Sequence, residues 1–223
     1  MEDTAHRGIL AVWNDRESDI ADFYEWWYVK QHLPERVGLP GWRFGRRYEL
    51  LDADGSSPQF FTWYELDNVE ASASEEYRAR LNDPTPETVR VMQNWLNMSR
   101  TICERTYGSS PVSGAYCVAA QFEQAPDGSM IETTARALAH EDFTVGVQTW
   151  RSTETLGSGE SAESDIRSTP DGHIGAALVV DCMRSGDVAK IVRSIEIGLE
   201  ALGLKADSIN SYRYLCEYRD PLL

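Results

Sequence analysis

The order of secondary-structure elements runs through this chain twice, and that repeat constrains the fold more than any single motif. In the first half, Gly8 to Asp15 is a short apolar run with β-branched and aromatic residues, which predicts a strand. Ser18 to about Leu33 carries Ile20, Phe23, Tyr24, Trp27, Tyr28 and Gln31 at helical spacing, with Ser18 or Asp19 as N-cap. Pro34, then Pro40-Gly41, is expected to end that helix. Trp42 to Leu51 and Gln59 to Leu66 read as antiparallel strands around a turn at 52–57. Helical patterns follow at 69–81 and 86–98, broken by Asn82-Asp-Pro-Thr-Pro, and Thr101 to Tyr107 closes the half as a strand. The second half offers strands at 115–122, 143–153, 173–183 and 208–218, helices at 129–139 and 185–202, and a Gly/Ser/Glu loop at 156–163.

The joint is Gly108-Ser-Ser-Pro-Val-Ser-Gly114, rich in linker residues. The domains expected are therefore 1–110 and 111–223, each β-α-β-β-α-β, the ferredoxin-like order. A four-stranded sheet with helices on one face leaves the other face bare. Two such sheets can cover each other, so the expected class is α+β: tandem ferredoxin-like repeats forming a dimeric α/β-barrel within one polypeptide. A single mixed α+β domain is the rival reading.

The halves differ in aromatic content. Of the 23 Phe, Trp and Tyr residues, 16 lie in residues 1–110, including six of the seven tryptophans. Small organic ligands sit in apolar, aromatic pockets with a few inward polar groups, so the first half is the expected ligand-binding half. Large side chains that merely fill a core would give the same composition.

Within it, Tyr28 and His32 are four residues apart on one helix face, with Tyr24 a turn earlier. A His beside a phenol can act as an acid/base pair. A protonated His complementing a helix C-terminus is the structural alternative. On the strand 42–51, alternation puts Arg43, Gly45, Arg47 and Glu49 on one side, and Trp42, Phe44, Arg46 and Tyr48 on the other. Either Arg46 or Arg47 must then be covered, and needs a carboxylate or an anionic substrate as partner. Trp13, Asn14, Trp63 and Tyr64 fall near strand ends, where a pocket mouth is expected.

Other signals exclude rather than assign. The formal net charge of -15 argues against nucleic acid and anionic membranes as partners. Cys103, Cys117, Cys182 and Cys216 fall in predicted strands with no C-x-x-C spacing, so free thiols and a reducing, cytoplasmic setting are expected, without a metal site. The sequence has no transmembrane run, no signal-peptide pattern, no nucleotide-binding glycine motif and no nucleophile elbow. Gly157-Ser-Gly159 has the wrong context for a phosphate loop, and His6, His140 and His173 read as surface or turn residues.

The run W-Y-x-x-x-H-L-P at Trp27 to Pro34, followed by P-G-W at Pro40 to Trp42 and R-R-Y at Arg46 to Tyr48, resembles the EthD-like members of the dimeric α/β-barrel superfamily. Tyr64-Glu-Leu and Leu81-Asn-Asp-Pro-Thr-Pro86 are similar to bacterial proteins of that group. The likeness covers residues 8–105; the second half matches in element order alone and has no His-x-Pro segment. It implies a pocket between each sheet and its own helices. The superfamily spans decarboxylases, cyclases, lactone isomerases, cofactor-free monooxygenases and haem-binding peroxidases, so the fold does not select the chemistry.

The expected function is a lyase or isomerase acting by proton transfer on a hydrophobic aromatic or enolisable carbonyl compound, without metal or organic cofactor. His32 is the expected acid/base and Tyr28 its partner, with Arg46 or Arg47 as anion stabiliser. Trp13, Asn14, Trp27, Trp63 and Tyr64 are the expected substrate-binding wall. The alternatives are a cofactor-free or haem-using oxygenase, with His32 as axial ligand, and a silent binding or dimerisation module whose pocket is self-filled. The chain is expected as a monomeric pseudo-dimer or a homodimer.

Overall fold

The structure, a computed structural model, describes residues 6–51, 58–153, 161–167 and 170–220. The expected turn at 52–57, Gly157-Ser-Gly159 and most of the 156–163 loop lie outside the described residues.

Eight strands close into one antiparallel barrel in the order β1-β3-β2-β8-β5-β7-β6-β4. The first half supplies β1 (Gly8–Arg16), β2 (Trp42–Leu50), β3 (Phe60–Leu66) and β4 (Trp95–Gly108). The second supplies β5 (Tyr116–Phe122), β6 (Gly146–Ser152), β7 (Ala176–Cys182) and β8 (Ser208–Arg219). The two four-stranded sheets meet through β2–β8 and β4–β6. The fold is therefore the tandem ferredoxin-like, dimeric α/β-barrel arrangement, closed within one chain. Closure leaves no free sheet edge and no bare sheet face.

Side chains of alternate strand residues fill the barrel interior: Ile9, Ala11 and Trp13 from β1, Phe61 and Trp63 from β3, and Ala177 and Val179 from β7. Trp13 stacks on Phe61 at 4.6 Å, and Trp63 meets Trp150 at 5.3 Å. The opposite residues face outward under helices. On the first sheet these are α1 (Ala21–Trp27), α2 (Leu33–Val37), α3 (Glu75–Asn82) and α4 (Pro86–Met92). On the second they are α5 (Met130–Leu138) and α7 (Ser185–Glu200). A short helix, α6 (Ala162–Ile166), lies in the β6–β7 connection but packs against α3 and α4 of the first half.

Four local expectations are corrected. Pro34 does not end its helix: α1 runs through a π-turn, Tyr28–His32, into α2. The Leu33 N–H donates to the Tyr28 carbonyl, and Pro34 then falls in the first turn of α2, where its missing N–H is not required. Residues 93–98 are not helical. Trp95 and Leu96 pair with Arg16 and Asp15 of β1, so tertiary pairing overrides a pattern that also fitted a helix. Trp42 is out of phase with Phe44, because an irregularity between them in the β2–β3 ladder turns it to the helix side. The pattern over 69–81 divides into a 3-10 turn (Val69–Ala73) and α3, capped where Ser74 Oγ accepts from the Tyr77 N–H.

All four cysteines are free thiols in strands. No helix among the described residues is long and apolar enough to cross a membrane.

Candidate functional site

A cavity of about 530 Å³ lies between the outer face of the first sheet and its helices. Leu10 and Val12 of β1 and Tyr64 of β3 form its floor. The π-turn and α2 contribute Tyr28, His32 and Arg36, and α3 contributes Tyr77. Its outer wall comes from the second half: Glu163, Arg167 and the segment 170–173. A buried ion pair, Arg36 Nη2 to Glu163 Oε1 at 2.5 Å, ties that wall to α2.

The π-turn shapes this site. π-turns are rare and concentrate where a helix must present side chains unusually. Here Tyr28 and His32 are both buried, their rings in an edge contact at 5.2 Å. His32 stacks on Trp27 at 4.2 Å, with Trp95 and Tyr64 against its edges at 6.3 and 6.5 Å. Trp27 is anchored in turn by its Nε1, which donates to Thr88 Oγ1 of α4 at 3.1 Å. Gly45 on β2 makes room for this packing. A Cβ there would lie 2.7 Å from the Tyr64 ring and 2.8 Å from Leu33.

His32 is a neutral imidazole. Burial lowers its pKa well below the ordinary value, and the Arg36 and Arg47 charges lower it further. This corrects the expected helix end at Pro34 and the capping His⁺ alternative, since His32 sits mid-helix and is 6% exposed. Burial raises the Tyr28 and Tyr64 phenols well above the ordinary range, so both remain hydroxyl donors. His32 Nδ1 is buried here without a hydrogen-bond partner, and beside it the Tyr28 and Tyr64 hydroxyls interact with each other.

The other expected residues are placed elsewhere. Arg47 lies behind Tyr28, its guanidinium 4.3 Å from that ring, bound to both carboxylate oxygens of Glu25, one at 2.8 Å. Arg46 points into the barrel, paired with Glu217 and 5.1 Å from the Trp63 ring. The alternation argument expected one covered arginine; both are, because the sheet is covered on both faces. Trp13 and Trp63 belong to the barrel interior, on the far side of the sheet from the cavity. Asn14 is buried and donates to Tyr24 Oη at 2.8 Å. Of the nine expected residues, Tyr28, His32 and Tyr64 line the cavity, and Trp27 supports His32 from behind.

Sequence reasoning missed Arg36, Tyr77, Arg100, Glu163 and Arg167. Arg36 carried a signal: it continues the line from Tyr28 through His32 at four-residue steps. Glu163 and Arg167 carried none, being far along the chain and brought in by tertiary packing. His173, expected as a turn residue, lies on the cavity's outer wall. Among the described residues no group of three or more His, Cys, Asp or Glu could hold a metal ion.

Comparison with solved structures supports the fold. An anthrone oxidase-like protein matches at TM-score 0.62 and 10% identity, over 97% of this chain and 94% of that one. A protein from Fusobacterium nucleatum, provisionally named a monooxygenase, matches at TM-score 0.62 and 7% identity, over 97% and 95%. A haem-binding protein from Thermus thermophilus matches at TM-score 0.52 and 9% identity, over 97% and 92%. At such identities the likeness shows the fold alone, the dimeric α/β-barrel architecture. No family model and no curated protein matches the sequence.

Proposed function

We propose that the chain is an enzyme acting on a small aromatic or enolisable carbonyl compound held in the first-half cavity, by proton transfer to and from His32. The observation that carries this reading is His32 Nδ1, buried without a partner on the cavity wall beside the Tyr28 and Tyr64 hydroxyls. A buried polar atom without a partner costs about 1–3 kcal/mol, and one on a cavity wall fits a polar ligand as the missing partner.

The electrostatics define the step. Nearby arginines disfavour an imidazolium, so His32 accepts a proton only where negative charge forms beside it. The proton leaves an acidic carbon for His32, and the electron pair of that bond moves to the carbonyl oxygen. Hydroxyl donors such as Tyr28 and Tyr64 stabilise such an oxyanion. Return of the proton to another carbon is isomerisation; protonation of an enolate formed by loss of carbon dioxide is decarboxylation. A second reading, favoured by the names of the two neighbours at TM-score 0.62, is a cofactor-free monooxygenase. There the same enolate would donate electrons to dioxygen as co-substrate.

A haem ligated through His32 fits poorly. An axial imidazole uses its second nitrogen to donate to an acceptor that fixes the ring, whereas His32 Nδ1 has no partner and Trp27 covers one ring face at 4.2 Å. A silent module fits poorly too, because its pocket would be filled by its own side chains. The Trp27–Pro34 motif supports an EthD-like placement within the barrel fold, and four free thiols support a reducing compartment such as the cytoplasm. We take 1–110 as the ligand-binding unit, with 111–223 supplying its outer wall.

The test is hydrogen exchange. The protein should accelerate exchange of the acidic protons of 2-tetralone and anthrone in deuterated buffer, and His32→Ala should not. Equal rates in both proteins and in buffer would remove the proton-transfer reading. Oxygen uptake with the same compounds separates the monooxygenase from the isomerase or lyase.

A further inference from the structure

Arginine side chains gather on the cavity wall, although the chain carries a formal net charge of -15. Among the described lining residues, Arg36, Arg78, Arg100 and Arg167 face two carboxylates, Glu163 and Asp171. Both carboxylates are engaged. Glu163 binds Arg36, and Asp171 accepts from Arg167 Nε at 2.8 Å and Nη2 at 2.6 Å. Arg36 is 3% exposed, and its Nη1 is buried without a partner. A buried cationic donor is costlier to leave unmatched than a neutral one, and its strongest match is an anion.

Tyr77 packs against two of these arginines. The Arg36 and Arg100 guanidinium carbons lie 5.6 and 5.9 Å from the Tyr77 ring centre, and Arg100 Nη2 donates to Tyr77 Oη at 2.7 Å. Glu163 and Tyr77 thus hold Arg36 in one orientation before any ligand arrives. Arg36 is one helical turn beyond His32, so a group bound at Arg36 lies next to the proton-transfer residue.

We propose that the natural substrate is an anion, an aromatic or enolisable compound carrying a carboxylate, and that Arg36 receives the carboxylate through its buried Nη1. This rests on the cavity reading above and adds the charge of the substrate. The ring of the ligand lies along Tyr28, His32 and Tyr64.

The experiment titrates three probes, 2-naphthoate, methyl 2-naphthoate and 2-naphthol, into the full chain by calorimetry. The acid should bind roughly ten- to a hundredfold tighter than the ester, the range of a charge-assisted hydrogen bond. Arg36→Gln alone would strand Glu163 as a buried charge, so the Arg36→Gln/Glu163→Gln pair is used, with circular dichroism to confirm folding. That pair should erode the preference for the acid over the ester. Equal affinity for acid and ester in the wild type would overturn the anionic substrate. It would leave the proton-transfer reading standing if 2-tetralone exchange still depends on His32. A preference that survives in that pair would overturn the assignment to Arg36. Failure of all three probes to bind would overturn this proposal and the cavity reading together.

Discussion

The two outer layers of the barrel share one plan and differ in chemistry. Under the helices of the second half the packing is aliphatic: Val118, Leu178 and Val180 of the sheet meet Ile131 and Leu138 of α5 and Ile191 and Ile195 of α7. The helices come so close that a Cβ on Gly198 would lie 2.7 Å from the Thr134 methyl. Under the helices of the first half the packing is aromatic, and it encloses a cavity edged by unpartnered polar atoms. Branched aliphatic chains of similar size interdigitate and close a layer, whereas large flat rings stacked edge to face leave space between them. The two copies of the plan thus differ in packing, and the proposed binding role falls on the first.

The largest effect that can break this contrast is on chemistry. His32→Ala should lower the rate of proton exchange by roughly 10²–10⁴, with the fold retained. A variant that is less stable but fully active would make His32 a packing residue. The converse belongs to the second half. Leu178→Ala should cost about 2–5 kcal/mol in denaturant unfolding and leave probe affinity unchanged. Loss of binding there, in a folded variant, would show that both layers serve the site.

A third region, the barrel interior, separates the two layers and carries a pH signature of its own. Burial raises the Asp181 carboxyl to about 7, with Arg46 pulling the other way. An unfolded Asp titrates near ~3.9, so between about pH 4 and pH 7 the folded chain holds the extra proton. Stability should therefore fall as pH rises through that window and level off above it, by on the order of 4 kcal/mol. Asp181→Asn should flatten the profile and be the more stable protein at pH 8. An unchanged slope would move the titration to another group.

The smallest expected effects compare two glycines at matched contacts. Gly45→Ala and Gly198→Ala each force a Cβ to within 2.7 Å of a neighbour, a strain of about 1–3 kcal/mol, which helix propensity offsets by about 1 kcal/mol at Gly198. Only Gly45→Ala pushes on Tyr64, so only it should alter probe affinity. Equal effects on affinity would mean that the cavity floor is not a binding surface.

Much of this was legible in the sequence, for identifiable reasons. Strand and helix order followed from hydrophobic period, and the β-α-β-β-α-β repeat followed from that order. The weight of tryptophan in residues 1–110 pointed to the half with the cavity. Period could not see the π-turn, since one wide turn changes no residue type, so Pro34 looked like a terminus. It could not see the phase change between Trp42 and Phe44, which depends on the partner strand. Nor could it tell which aromatic residues face the helices and which face the barrel. Trp13 and Trp63 have the composition of a pocket wall but the parity of the barrel core. Glu163 and Arg167 reach the site from the other half through tertiary packing alone.

The most direct test of the division of labour is a crystal structure with 2-naphthoate bound. The account places the naphthalene ring in the cavity along Tyr28, His32 and Tyr64, with its carboxylate on Arg36, inside the first-half layer. Density for the ring in the barrel interior beside Trp63, or under α5 and α7, would contradict it.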